Sequence, residues 1–242
     1  LGSIRSRTIV AVGCLLLAAT CTQAAVAAVR IAPEQEVVTL LRGKAVRARP
    51  HVRAKASAFV DATRPITGER TVLPVLAQSI DNHGRAWLRV RLPGRVLGGS
   101  PPPQNGWIEA SHTLLSTTPW HLVVRLSARQ VIVYRDGRRL RSYPAIVGKP
   151  STPTHAGEYF VEESVQLGSG GIGGPYALAT SDRSSVFHQF DGGPGQIAIH
   201  GLDNLGGQLG TAESHGCVRL ADGAVTWLVE RISPGVPVTI IP

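Results

Sequence analysis

Ser214-His215-Gly216-Cys217-Val218-Arg219-Leu220 is the stretch on which the reading of this 242-residue chain turns. A histidine stands two residues before the cysteine, and His200 closes the apolar run 196–199 further upstream. A thiol is a weak nucleophile until it becomes a thiolate, and a nearby imidazole is the usual base that makes it one. The pattern therefore points to acyl transfer through Cys217. His200, followed by Gly201, is the expected base, with the Gly201 carbonyl holding the imidazole in the required tautomer. Gly216 leaves the turn before Cys217 free to take a conformation that other residues resist. The amides of Gly216 and Cys217 are then expected to face one developing oxyanion, a donor arrangement worth ~3 kcal/mol in the barrier. His215 is expected to line that oxyanion site, contact substrate or tune the thiol. Arg219 either binds a substrate carboxylate or pairs with an internal acid. Ser214 reads as a turn residue beside the substrate.

The first residues set the compartment. Arg5 and Arg7 precede an apolar run over 9–19, and small residues follow through Ala28. That order is the signature of a secretory signal peptide, and the run is well short of the ~18 residues a membrane-spanning helix needs. Residues 1–28 are expected to be removed, taking Cys14 and Cys21 with them and leaving no transmembrane helix. Lipid anchoring at Cys21 is the alternative. Cys217 would then be the lone thiol of an exported protein, located in the periplasm or cell envelope, where a single cysteine suggests chemistry or intermolecular pairing.

Charge divides the chain. Residues 30–149 carry 20 Lys and Arg against 7 Asp and Glu, whereas residues 150–242 carry 3 against 9. A basic half can hold an exported protein beside an anionic wall polymer. Basic runs interleaved with aromatics are absent, which argues against a nucleic-acid partner. A monomer is expected.

Within the basic half, 87–92 alternates apolar and polar residues as a half-buried strand does, Asp81-Asn82-His83-Gly84 supplies a turn, and 72–77 reads as the partner strand. Pro74 suggests an edge or a bulge there. Beyond Trp120, strand character appears at 121–126, 130–135, 138–147, 157–162, 196–200 and 236–241, with Asp136-Gly137 as a hairpin turn. Asp222 is the expected cap of a single helix over 223–232. The glycine-rich 168–175 reads as a mobile loop. It follows no strand-to-helix signal and lacks a P-loop lysine, so it is no phosphate cradle. The fold class is mainly β, in two modules with one main helix.

Two resemblances follow from these motifs. Val46-Arg47-Ala48-Arg49-Pro50, Gly84-Arg85-Ala86-Trp87-Leu88-Arg89-Val90 and Gly106-Trp107-Ile108 resemble a bacterial SH3-like small β-barrel over 37–115. Fold alone does not assign it a ligand. His200-Gly201, thirteen residues, then Ser214-His215-Gly216-Cys217-Val218-Arg219-Leu220 closely resemble the L,D-transpeptidase catalytic domain, of YkuD-like fold, over 120–242. Thr152-Pro153-Thr154, Gly157-Glu158-Tyr159 and Gly173-Gly174-Pro175-Tyr176-Ala177 extend the similarity; Leu202 and the His155-Ala156 pair depart from it. The resemblance implies Cys217 as nucleophile and His200 as base, oriented by the Gly201 carbonyl, with His215, Gly216 and Cys217 lining the oxyanion hole. It implies a peptidoglycan tetrapeptide stem as substrate, release of the terminal D-amino acid, transfer to an amine to form a 3-3 cross-link, and acylation by carbapenems. Tyr176 and the 168–175 loop would form a lid over substrate, and no metal or organic cofactor is implied.

Three other readings use the same residues. Water as acceptor would make the enzyme a carboxypeptidase or amidase. A non-catalytic wall-binding protein would leave Cys217 dispensable. A zinc site on His200, His215 and Cys217 has suitable ligand types but neither a fourth ligand nor paired-cysteine spacing.

Overall fold

A computed structural model describes residues 30–168, 170–189 and 192–242. The expected signal segment, with Cys14 and Cys21, lies outside the described residues. Residues Ile31–Pro242 form one compact unit, built on two large sheets.

The first sheet holds β1 (Gln35–Leu40), β2 (Lys44–Arg47), β3 (Ala56–Val60), β4 (Val72–Ile80), β5 (Ala86–Arg91), β6 (Asn105–Glu109) and β7 (Thr113–Thr118), in the order β3-β2-β6-β5-β4-β1-β7. Its ladders are antiparallel throughout. Alternation in β5 works as the sequence suggests. Leu88 and Val90 enter the core, and Trp87 is buried on the other face with its indole N–H donated to Asp81 Oδ2 (3.1 Å). Asp81 also accepts the amides of His83 and Arg85, which closes the expected turn. Pro74 sits in an interior strand, not at an edge. Its missing N–H is accommodated beside a register shift between Val75 and Ala77, the bulge that proline favours.

The second sheet holds β8 (Trp120–Arg125), β9 (Gln130–Arg135), β10 (Arg138–Pro144), β12 (Gly157–Gln166), β13 (Tyr176–Arg183), β14 (Gln196–His200), β16 (Val218–Arg219) and β17 (Pro237–Ile241). They run in the order β10-β9-β8-β17-β12-β13-β14-β16. β11 (Val147–Gly148) and β15 (Ala212–Ser214) form a separate small pair. The expected hairpin at Asp136-Gly137 is present, and both residues have positive φ, as a primed two-residue turn requires. The strand expected over 138–147 instead breaks after Pro144. The helix, α1 (Asp222–Val229), buries Ala224, Val225 and Leu228. Asp222 does not cap it; Ala221 holds the cap position without a side-chain bond.

The two modules share their interior. Phe160 of β12 is 1 % exposed and belongs to the apolar cluster of the first sheet, with Val38, Leu73, Leu88, Val90 and Ile108. Next to it, a register shift between Val161 and Glu163 breaks the alternation of β12, and Glu162 and Glu163 are both buried. Glu162 accepts from Arg64 Nη2, the Gly94 amide (2.8 Å), Arg183 Nη2 (2.9 Å) and Gln196 Nε2 (3.0 Å). Glu163 accepts from the amide and hydroxyl of Thr67 (3.1 and 3.2 Å). Loops of the first module thus donate to two buried carboxylates of the second, which would otherwise be costly to bury, although Glu163 Oε1 has no hydrogen-bond partner among the described residues.

Two predictions follow from this packing. Phe160→Ala should destabilise the whole chain by about 3–5 kcal/mol, and both sheets should melt in one shifted transition by circular dichroism. Two separate transitions, with only the first moved, would contradict the shared core. The second concerns His121, which bonds Thr239 Oγ1 (2.7 Å) and whose pKa burial pushes down from 6.5 to about 4. The unfolded chain therefore binds this proton more readily than the native one, and acid favours unfolding. The native state should lose at most about 3 kcal/mol as pH falls from 6.5 to about 4. The difference between wild type and His121→Asn in urea titrations across that range isolates the effect.

Candidate active site

β14 carries the site. Ile197 and Ile199 point into the core, while Gln196, Ala198 and His200 are half-buried on the opposite face. β16 runs parallel to β14, with Ile199 opposite Val218 and His200 opposite Arg219. This register places Cys217 alongside Ala198, two residues along the strand from His200. Cys217 Sγ lies 4.0 Å from the Gln196 carbonyl. Among the described residues it is the one cysteine, and it is unpaired.

The electrostatics of the pair are set by burial. Burial pushes the Cys217 thiol above its ordinary value, the Ala198 amide and Arg219 pull it down, and Asp182 pushes it up. Burial also lowers the His200 pKa, and Arg219 adds to that against hydrogen bonds to the backbone of Gly201 and Gly173. Nδ1 of His200 donates to the Gly201 carbonyl (2.8 Å), which leaves Nε2 as the basic nitrogen, as the sequence suggested. Burial therefore favours the uncharged form of both groups.

Close packing holds His200 in place. A side chain on Gly201 would put its Cβ 1.9 Å from the Gly174 carbonyl oxygen and 2.6 Å from Asp222 Oδ1. The Gly201 amide donates to the Gly173 carbonyl (2.9 Å), so Gly173 and Gly174 lie against the base. Asp222, misread as a helix cap, accepts the Leu202 amide (2.7 Å) and ties the start of α1 to the chain just after His200.

The turn that presents Cys217 is braced from two sides. Ser214 is wholly buried; its hydroxyl donates to the Cys217 carbonyl (2.5 Å) and accepts the Gly216 amide (3.1 Å). Ser214 is therefore a staple of the turn and presents no group to substrate. The same bond occupies the Gly216 amide, which corrects the expectation that it faces an oxyanion. The Cys217 amide has no acceptor among the described residues and is the donor left for that role. Gly216 has φ +119°, a backbone state that requires glycine. From the other side, Thr152 Oγ1 donates to the Ser214 carbonyl (3.2 Å) and Thr154 Oγ1 to the Gly216 carbonyl (2.6 Å). The Gly148 amide in turn donates to Thr154 Oγ1 (2.9 Å). The sequence offered these threonines only as a matching motif, without a role.

The other expected residues are spread around the rim. His215 is exposed, with Nε2 3.4 Å from Lys149 Nζ and its ring edge-on to Phe187 at 6.0 Å. Arg219 donates to the Gly206 carbonyl (3.1 Å) and makes no ion pair among the described residues. Its charge lies near Cys217, His200 and the carboxylate of Glu213. Tyr176 is not part of the loop. It opens β13, opposite Gln166, with Ala177 facing His200. No group of three or more His, Cys, Asp or Glu suited to a metal occurs among the described residues.

The turn before β16 thus presents a thiol one register step from the strand that carries His200, whose imidazole is held through Nδ1. The model of the L,D-transpeptidase catalytic domain, YkuD, matches residues 119–240, and the chain belongs to that family. The YkuD protein of Bacillus licheniformis, which carries the L,D-transpeptidase name, is 29% identical over 154 residues, 61% of this chain and 85% of its own. Its counterpart in Bacillus subtilis is 31% identical over 124 residues, 51% and 67% of the two chains. L,D-transpeptidase 1 of Mycobacterium tuberculosis is 28% identical over 134 residues, 49% of each. An L,D-transpeptidase structure from Mycobacterium smegmatis superposes with a TM-score of 0.40 at 20% identity, covering 65% of this chain and 91% of that one.

Because burial raises the thiol and lowers the imidazole, the alkylation rate of Cys217 by iodoacetamide should keep climbing as pH rises through 9. It should show no plateau between pH 5 and 7. Intact-protein mass spectrometry at a series of pH values reads this directly, and a plateau in the acid range would mean a preformed ion pair.

Proposed function

We propose that the protein is an exported L,D-transpeptidase that works through a Cys217 thioester and forms 3-3 cross-links between peptidoglycan tetrapeptide stems. The observation that carries this reading is the β14–β16 register, which sets Cys217 beside Ala198 with His200, its Nδ1 held by the Gly201 carbonyl, on the same strand.

The chemistry follows from those positions. Nε2 of His200 takes the thiol proton as Sγ attacks the amide carbonyl between the third residue of the stem and the terminal D-residue. The Cys217 amide receives the developing oxyanion. His200 returns its proton to the leaving amine, which departs as a D-amino acid. An amine of a neighbouring stem then attacks the thioester, its proton passes through Nε2 to Sγ, and the thiol is regenerated. Every step is a proton or acyl transfer, so neither a metal nor an organic cofactor is called for.

The basic half supports a location beside anionic wall polymers. Arg135, Arg138, Arg139 and Arg141 are all exposed on the β9–β10 hairpin, and Arg135 and Arg141 lie over Trp120 and Trp227 at 5.2 and 4.6 Å.

Incubation with a carbapenem should give one stoichiometric adduct by intact mass on wild type and none on Cys217→Ala. With a disaccharide tetrapeptide, chromatography should show 3-3 dimer together with free D-amino acid. A profile of tripeptide alone would replace transfer by hydrolysis, and the absence of any adduct on folded protein would remove the thioester altogether.

A further inference from the structure

A second nucleophile, base and acid stand in hydrogen-bonded order, with the acid, Asp182, close enough to the thiol to act on its charge. Ser185 Oγ lies 2.8 Å from Nε2 of His155, and Nδ1 of His155 lies 3.1 and 3.3 Å from the two carboxylate oxygens of Asp182. We propose that Ser185, His155 and Asp182 form a second acyl-transfer centre, a serine esterase site for carboxylic esters.

The order of the three groups is the one such chemistry requires. The Asp182 side chain is 4 % exposed and that of His155 25 %, while Ser185 is open to solvent. An orienting carboxylate is thus buried and the nucleophile reachable. Tyr159 lies against Asp182 and fixes it from the other side. The hydrogen bond to Asp182 makes His155 more basic, outweighing its partial burial. The His155-Ala156 pair is also a point at which the sequence departs from the transpeptidase pattern, so the Cys217 chemistry does not account for it.

The nucleophile sits on a fixed loop. Ser184 is buried, its amide donates to the Gly195 carbonyl (2.8 Å), and its hydroxyl accepts the amides of Val186 and Phe187 (3.2 and 2.9 Å). Arg95 of the first module reaches across and donates through Nη2 to the carbonyls of Ser184 (2.8 Å) and Phe187 (3.2 Å), on both sides of Ser185. Its guanidinium is close enough to act on the charge of His155.

The step balances without a further reagent. Nε2 of His155 takes the Ser185 hydroxyl proton as Oγ bonds to the ester carbonyl carbon. The carbon–oxygen bond to the alcohol breaks, and the alcohol leaves with the proton from Nε2. Water, deprotonated by the same nitrogen, then cleaves the acyl-serine and frees the acid and the serine.

The test uses the Cys217→Ala chain, in which the thiol cannot contribute. A fluorophosphonate should form one adduct, with loss of fluoride, that peptide mass spectrometry maps to Ser185. The adduct should be absent from Cys217→Ala/Ser185→Ala. It should form ~10²–10⁴-fold more slowly in Cys217→Ala/His155→Gln, the usual contribution of a general base. No adduct on Cys217→Ala, or an adduct mapped elsewhere, would overturn the proposal and reduce the three residues to a structural hydrogen-bond chain. Ser185→Ala alone changes an exposed hydroxyl and should keep its carbapenem adduct on Cys217. Failure of that control would concern the thioester reading and not the serine.

Discussion

One buried carboxylate holds the molecule together. Glu162 has no exposed side-chain surface, and an ion in that position is tolerable only when its lone pairs are filled. Four donors fill them, and they come from every part that matters here. Arg64 and the Gly94 amide belong to the first module, Arg183 to the strand beside the site, and Gln196 to the strand that carries His200. The Gln196 backbone carbonyl in turn lies 4.0 Å from the thiol. A charge network and an apolar one, anchored by Phe160, thus bind the two sheets through the same few residues of β12. The first module is joined to the catalytic sheet by its core and not by a linker, so its loops are part of what fixes β14.

Against that frame the site needs little more than local bracing. Ser214, Thr152 and Thr154 hold the turn before Cys217 through backbone carbonyls and one amide, and the packing of Gly201 on Gly174 holds the base. None of these groups meets the reacting atoms. Their effect is to leave a single free amide at the thiol and a single free nitrogen on the imidazole, so the reactive atoms are selected by occupation of all the others.

Much of this was legible in the chain. The spacing of His200-Gly201 and Ser214–Leu220 sufficed for the family, because a thiol, its base and a glycine turn constrain one another through short-range chemistry. Turns such as 81–84 and 136–137 were legible for the same local reason. β13 was not, since Ala177, Ala179, Thr180, Ser181 and Asp182 lack the branched and aromatic side chains that mark a strand. They are buried on both faces of the sheet, between β12 and β14. Asp222 was misread because a carboxylate at a helix start is usually a cap, and nothing local reveals that the Leu202 amide will claim it.

The sequence by itself determined the reacting groups, the order of turns and most strands, and the family, all of which depend on residues within a few positions of one another. Only the tertiary structure decided which amide remains free for an oxyanion, that Ser214 faces inward, that Phe160 belongs to the other module's core, and that Ser185, His155 and Asp182 meet. These follow from which groups compete for the same donors and the same buried volume, and that competition exists only once distant strands are side by side.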